Sequence, residues 1–476
     1  MVLRTQIKTK IINEVIRNGQ TAVEYKNRPE NLKWRVLVVD SLTLKIVSSV
    51  IKMHELASEG IINVEIIERR RADMPNEAIY LITPTLKNVQ VLVKDFQNEN
   101  QPKYSAAQIC FTENCHDDIF KKLEMIPNQF IKDLKEVNMS FVPMESQVYS
   151  LEKANGFQWH NNQQYQSNEN RPKTKEELEK MAEQLATLCS TLGECPAIRY
   201  EAEEKACEEF SNMVKEKLDL YKDNEQLGPN SDKSKSTLLI LDRKFDIVSP
   251  ILHEFTFQAM VYDLLPIKNN VYNYEDTNSE GLTSKKQIIL DENNMIWEEL
   301  RHQFIADVNG LLDKKLNEAQ NLEKETKSAQ RLREKIGKTA KLLDAKKNLA
   351  PFYNLAQHCI DRWDKLKVEI EQDLAVGEKT DNNAKSLANI FLDEGLSYKD
   401  KVRVILLYIL RNGPQTKEWY ESALNTHASV PENEQNMVRN LQLMDIELYG
   451  EEDSQSKYTL KNNITEKPLI LNGFQF

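Results

Sequence analysis

The sequence has little of what marks membrane and nucleic-acid-binding proteins. Its longest apolar run, Val404 to Leu410, falls far short of the ~20 residues that cross a bilayer. The start, Met1-Val2-Leu3-Arg4, has no apolar signal core, and Val2 excludes N-myristoylation. Only six cysteines occur, Cys110, Cys115, Cys189, Cys195, Cys207 and Cys359, with no paired framework, which suits a reducing cytosol. Positive charge is not in excess either. The 63 Lys and Arg against 74 Asp and Glu leave a net charge of −11, which argues against nucleic acid as the main ligand. A soluble, cytoplasmic protein without direct membrane insertion is expected.

Catalytic motifs are also missing. There is no G-x-S-x-G elbow and no G-x-G-x-x-G turn. Gly337-Lys338-Thr339 imitates the end of a phosphate loop, but Leu332 stands where its first glycine belongs and no buried strand precedes it. His253-Glu254 begins H-E-x-x-H, but Phe257 takes the place of the second histidine. Cys110 and Cys115 lack the second pair that a zinc site needs, so buried thiols are the expected state. None of the seven histidines clusters with acids at ligand spacing. No metal or cofactor is expected.

What is present is a chain of 476 residues, 40 % apolar, enough for about three domains. Residues 1–35 read as an amphipathic helix (Ile7, Ile11, Ile12, Val15, Ile16) and a polar loop. Apolar runs at Val36–Val39, Asn63–Ile67, Ile79–Ile82, Ala107–Phe111 and Met139–Val142 alternate with helix-like stretches such as Leu86–Phe96 and Asp117–Val137. Such alternation predicts a parallel sheet with helices on both faces, over residues 1–145. An Asn- and Gln-rich connection, 155–173, leads to helices over Thr174–Leu192 and Glu201–Tyr221 within a second α/β domain, 146–245. Beyond Trp297 the pattern is helical. A charged helical hairpin is expected to project at about 310–355 from a mainly helical third domain, 246–450, with another helix at Leu349–Leu374 and a core helix at Lys399–Leu410. Residues 451–476 form a polar tail, with Leu469–Leu471 as one candidate strand.

The chain turns on residues 237–267. Leu238 to Leu241 reads as a strand buried on both faces, followed by the charged loop Asp242-Arg243-Lys244-Phe245-Asp246. Ser249 at N-cap and Pro250 at N1 then predict a helix carrying Leu252, Phe255, Met260 and Leu264, which ends near Pro266. Asp40 and Asp242 both close strands, where open α/β sheets place ligands. An enzyme, for example a hydrolase using Asp242, would need a second catalytic group that the sequence does not supply. Helix capping or pairing with an arginine is the favoured role. The stretch Glu65-Ile66-Ile67-Glu68-Arg69-Arg70-Arg71 offers three arginines beside Glu65, a charged surface suited to the acidic helices of a protein partner. A helical scaffold that binds coils through the hairpin alone is the third reading.

The same turning point carries a family resemblance. Leu239-Ile240-Leu241-Asp242-Arg243, Phe245-Asp246, Ser249-Pro250, Leu252-His253-Glu254 and Thr256-Phe257-Gln258-Ala259-Met260 closely resemble the signature of the syntaxin-binding SM family, the Sec/Munc-type regulators of SNARE assembly. Val36-Leu37-Val38-Val39-Asp40, Tyr80-Leu81-Ile82-Thr83-Pro84 and Glu145–Leu151 agree in order. So do Glu371–Ala375 and Arg403–Ile409, and the similarity is greatest to the exocytic, plasma-membrane branch.

The resemblance implies an arch-shaped, three-domain fold of α/β plus α class, with parallel α/β sheets in the first two domains. It implies a monomer that is neither enzyme nor cofactor binder and that clasps a syntaxin-type SNARE while SNARE complexes assemble. It implies a cleft residue set of Asp40, Leu44, Lys45, Lys52, Glu65, Arg69 and Arg70, although the acidic residue expected next is Ala72 here. A pocket for a syntaxin N-terminal peptide is implied at Cys115, Phe120, Ile131, Leu134 and Glu136. Tyr353 stands at a contact position for a second, vesicle SNARE on the hairpin, whose expected hinge proline is absent near Ala340. Asp242, Arg243, Phe245 and Asp246 would form the joint between domains 2 and 3. Family members run further at the C-terminus, where their last segment completes the sheet of domain 2. Either the sequence is a truncated form or domain 2 lacks part of its sheet, and in the second case exposed edge groups and apolar surface are expected there.

Overall fold

The computed structural model describes residues 3–27, 34–156, 171–224, 226–227, 236–268, 270–277, 283–327, 332–366, 371, 374, 381–432, 435–444 and 446–450. The expected strand at 469–471 and most of the polar connection at 155–173 lie outside them. The chain divides into two compact units, Met1–Asp242 and Arg243–Phe476.

In the first unit, α1 (Leu3–Lys10) continues into a short π-helical stretch, Ile11–Ile16, and α2 (Ala22–Asn27) follows. Five strands then form a parallel sheet in the order β2-β1-β3-β4-β5, with β1 Arg35–Val39, β2 Ile61–Ile66, β3 Glu77–Ile82, β4 Ala107–Phe111 and β5 Ile131–Glu136. Side chains alternate across it. Leu37, Val39, Ile79, Leu81 and Cys110 join one core with Ile7, Ile11 and Ile46, whereas Val36, Val38, Tyr80, Ile82, Ile109 and Phe111 join another with Leu92 and Phe96. Both faces are covered, so the central strands read as continuous apolar runs. Full burial of each such side chain contributes about 1.5–3 kcal/mol.

Helices α3 (Ser41–Val50) and α4 (Met53–Ser58) separate β1 from β2, and α5 (Leu86–Phe96) separates β3 from β4. In α5, Thr85 caps the start by accepting from Asn88 N, and Val89, Leu92, Val93 and Phe96 make the buried stripe. The stretch Asp117–Val137, expected to be helical, holds the short α6 (Asp117–Leu123) and one 3₁₀ turn (Asn128–Phe130) before β5. Ile131-Lys132-Asp133-Leu134-Lys135-Glu136 is a charged edge strand whose apolar signal is too thin to read. The run at 139–142 becomes a small hairpin, β6 (Val142–Pro143) with β7 (Tyr149–Ser150).

Helices α7 (Arg171–Leu192) and α8 (Lys205–Asp223) pack together and supply Leu185, Leu188, Val214, Leu218 and Tyr221 to the first core. One apolar cluster therefore joins residues on both sides of residue 145. Strands β8 (Ala197–Tyr200) and β9 (Thr237–Ile240) form a parallel pair. Here the reading of a doubly buried strand fails. Among the described residues this sheet has two strands, and Leu239 and Leu241 are 44 % and 41 % exposed.

In the second unit no helix starts at Ser249-Pro250. Ser249 N donates instead to Asp246 Oδ1 (3.0 Å), which makes a turn. The helix α9 spans Phe257–Leu264 with Thr256 at its N-cap. An antiparallel ribbon unmarked in the sequence reading, β10 (Val271–Thr277) with β11 (Thr283–Ile289), comes next. After α10 (Met295–Leu300), helix α11 (Ile305–Lys327) packs against α12 (Leu332–Trp363). The separate helix expected from 349 is the last part of α12, which carries Pro351 internally and stops at Trp363. Phe257, Trp297, Leu312, Phe352 and Leu355 lie in the core of this part. Helices α13 (Asp381–Leu392) and α14 (Tyr398–Asn412) build a further cluster with Val248, Ile251 and Phe255. A buried His253 presents Nδ1 to both oxygens of Glu371 (2.9 and 2.8 Å), so the incomplete H-E-x-x-H serves packing here.

Candidate functional site

The strand-end crevice is closed by its own carboxylate. Asp40, 4 % exposed, caps α3 through Oδ1, which accepts from Thr43 N (2.8 Å) and Thr43 Oγ1 (2.9 Å). Oδ2 crosses to β3's end and accepts from Thr83 N (2.7 Å) and Asn88 Nδ2 (2.9 Å). The position between β1 and β3, where a doubly wound sheet would bind a ligand, is thus filled by internal hydrogen bonds. Asp40 is a buried cap of α3, as the residue reading favoured.

The other residues of that set behave differently. Leu44 is half-buried against the first core. Lys45 is exposed and pairs with Glu152. Lys52 is exposed, and its backbone N donates to Glu55 Oε2 (2.9 Å) at the start of α4. Glu55 is held below the usual carboxylate range by that bond first and by Lys8 second. Glu65, half-buried at the end of β2, accepts from Tyr104 OH (2.5 Å). Arg69 and Arg70 are exposed in the loop that follows.

Arg71 departs from its neighbours. It turns inward onto Asp95 of α5, with Nη1 2.8 Å from Oδ2 and Nη2 3.1 Å from Oδ1, and both side chains are buried. The expected triple-arginine surface is therefore a double one.

The second set lies on the edge of the same sheet. Cys115, Ile131 and Leu134 are half-buried against the Tyr80 and Phe96 core, and Phe120 of α6 is 47 % exposed. Glu136 Oε1 accepts from Cys115 N (2.8 Å), so one carboxylate oxygen already fixes the loop after β4. Burial foremost, then Glu136 and Asp117, push the Cys115 thiol up to about 11. The arrangement provides an apolar strip ended by an acidic group.

The turning point falls on the division between the units. Asp242 N donates to Glu201 Oε2 (3.2 Å), Arg243–Phe245 form one 3₁₀ turn, and Arg243 Nη2 donates to Asp246 O (2.5 Å). Phe245 is exposed. In the second unit Tyr353 OH donates to Asp313 Oδ1 (2.7 Å), linking α12 to α11. Burial, then Asp313, push that phenol up to about 12. Among the described residues, no three His, Cys, Asp or Glu side chains gather as metal ligands would, and no helix is long and apolar enough to cross a membrane.

A doubly wound parallel sheet in one unit, followed by a mainly helical unit with a long helix pair, is the α/β-plus-α build of SM-type proteins. The Sec1 family model matches residues 35–472, and the chain belongs to that family. The Dictyostelium discoideum protein transport protein sec1 is 32 % identical over 464 residues, covering 94 % of this chain and 75 % of that protein. Schizosaccharomyces pombe protein transport protein sec1 is 29 % identical over 439 residues, covering 86 % of this chain and 61 % of its own. Among solved structures, the Unc18–syntaxin 1 complex from Monosiga brevicollis superposes with a TM-score of 0.79 at 23 % identity, covering all of this chain and 84 % of its counterpart. The SM protein Vps45 in complex with the Qa SNARE Tlg2 gives 0.71 at 19 % identity, covering 93 % and 76 %.

Proposed function

We propose that this chain is a non-enzymatic SM protein that binds a syntaxin-type SNARE and guides SNARE-complex assembly during vesicle docking and exocytosis. The observation that carries the reading is the pair Arg69 and Arg70, exposed at the end of β2 with Glu65 and Lys52 on the same unit, while Arg71 is tied down internally. Exposed guanidinium groups on a fixed loop suit bidentate pairing with carboxylates of a helical partner. The names of the relatives and the complexes formed by the structural neighbours support a syntaxin-type Qa SNARE as that partner.

Leu44, Lys45 and Lys52 extend the proposed contact, and Cys115, Phe120, Ile131, Leu134 and Glu136 form a proposed peptide pocket. Tyr353 is the proposed contact for a vesicle SNARE, and Asp242, Arg243, Phe245 and Asp246 are the proposed joint in a three-domain arrangement (1–145, 146–245, 246–450). The protein acts in the cytoplasm, recruited to the plasma membrane through its partner. The test is a calorimetric titration with a syntaxin cytosolic fragment. Wild type binds, and Arg69→Glu with Arg70→Glu weakens binding by at least about tenfold, or 1.4 kcal/mol. Equal affinity of the reversed variant would remove the arginines from the interface.

A further inference from the structure

Glu65, the acid of the proposed contact surface, is held from within the chain on both carboxylate oxygens. Oε2 accepts from Tyr104 OH (2.5 Å) and Oε1 from Asn63 Nδ2 (3.3 Å). Each oxygen keeps a second lone pair, which remains for a cation from outside. Glu65 is half-buried near the end of β2, an edge strand of the sheet, and Asn63 is exposed. The shorter bond, and the one out of reach of solvent on its donor side, comes from Tyr104.

Tyr104 is a rigid donor. Its side chain is fully buried in the core of Tyr80 and Phe96, and its ring meets that of Tyr80 edge-on at 6.0 Å. The backbone on either side is tied to the segment after Arg71. Met74 N donates to Lys103 O (2.8 Å), Ser105 N donates to Asn76 O (3.0 Å), and Lys103 Nζ donates to Arg71 O (3.0 Å). Asp95, in the same core, is already engaged by Arg71 and by Tyr80 OH (2.7 Å). The Tyr104 hydroxyl donates to Glu65 instead and accepts from Arg71 Nη1 (3.4 Å). Burial first, then the bond to Glu65, raises the ionisation of this phenol, so it stays a donor across the neutral range. One hydroxyl therefore joins Glu65, which precedes the exposed pair Arg69 and Arg70, to Arg71, which follows it.

We propose that Tyr104 is a positioning residue for partner binding: from inside the fold it fixes the Glu65 carboxylate in the orientation that a cation of the helical partner meets. The inference rests on the reading of Glu65 as a contact. Ordering a long side chain before the encounter removes that entropic cost from binding. A tyrosine that served packing alone would act through its ring, and phenylalanine would replace it with no effect on affinity that depends on Glu65.

The test is a calorimetric double-mutant cycle on the full chain, titrated with the syntaxin cytosolic fragment, with urea denaturation of each variant alongside. Tyr104→Phe weakens binding by about three- to tenfold when Glu65 is present, and by less than about twofold in the Glu65→Ala background. A loss of equal size in both backgrounds, or no loss in either, overturns the inference, because Tyr104 then does not act through Glu65. Should Tyr104→Phe fail to fold, Glu65→Asp decides, since it keeps the charge and withdraws it from the phenol by one methylene. Its affinity falls by about three- to tenfold, and an unchanged affinity overturns the inference. Failure of the functional reading looks different: wild type does not bind the fragment, or Glu65→Ala binds as tightly as wild type, and the inference falls with it.

Discussion

Arg71 and Asp95 form a buried ion pair at 2.8 Å, each side chain 4 % exposed, and Tyr80 OH completes the site by donating to Asp95 Oδ2 (2.7 Å). Immediately before Arg71 the chain carries Arg69 and Arg70 in solvent. Adjacent arginines therefore serve opposite ends, one anchoring the loop to α5 and two facing outward.

Replacing Arg71 with Met strands the Asp95 carboxylate. The expected loss is about 3–5 kcal/mol, as for other buried pairs broken on one side. Arg69→Ala and Arg70→Ala change stability by no more than about 0.5 kcal/mol, as surface substitutions do. Urea denaturation followed by circular dichroism separates the two. A mild Arg71→Met would mean that the pair does not hold the loop.

The same loop shows what a sequence reveals and what it hides. Strands β1, β3 and β4 and helix α5 were legible because their burial is local pattern, continuous apolar runs or a stripe at 89, 92, 93 and 96. Which of three arginines turns inward was not legible, because Asp95 lies 24 residues away on another element. β5 was hidden by the lysines and acids of an edge strand, and Ser249-Pro250 imitated a helix start although Asp246 uses Ser249 for a turn. The doubly buried reading of β9 failed because a run of leucines reports apolar character, while burial depends on neighbouring strands. Of the proposed site, the exposed cations were readable from charge alone; Asp40 was ambiguous until Thr83 and Asn88 were seen to fill its second oxygen.

Asp40→Ala leaves Thr83 N without its acceptor, Asn88 Nδ2 with Thr83 O alone, and α3 without its cap. About 1–3 kcal/mol is expected for each buried group left unsatisfied. Thermal denaturation measures the loss, and any reduction in syntaxin binding should follow the folded fraction. Weakened binding at unchanged stability would place Asp40 in the interface.

The thiols offer a chemical check on burial. Burial pushes Cys110 up to about 11, Cys189 to about 12 and Cys359 to about 12, and adds to Glu136 and Asp117 in holding Cys115 near 11. At neutral pH less than about one part in a thousand of each is thiolate, the reactive form. Alkylation of these four in the native protein should be slow and should accelerate on unfolding. Cys115, half-buried in the proposed pocket, should be the fastest of them and slow further when a partner peptide is bound. Rapid labelling of Cys359 would contradict the packing around Phe352 and Leu355.

Tyr353 and Asp313 provide the sharpest test on the long helix pair. Their 2.7 Å hydrogen bond links α12 to α11, and Asp313 is exposed, so water can replace the phenol when it is removed. The net loss for Tyr353→Phe is therefore modest, about 0.5–1.5 kcal/mol. Burial and the bond to Asp313 both favour the neutral phenol, with ionisation pushed up to about 12, so the link persists across the neutral range. A double-mutant cycle of Tyr353→Phe with Asp313→Ala isolates it, read by hydrogen exchange on both helices. Coupling of about 0.5 kcal/mol or more is expected, because either single substitution already removes the bond and the second adds little. Strict additivity would mean that the two helices are held by Leu312, Leu349 and Phe352 alone. In that case, weaker binding of a vesicle SNARE by Tyr353→Phe would report on contact with the phenol itself.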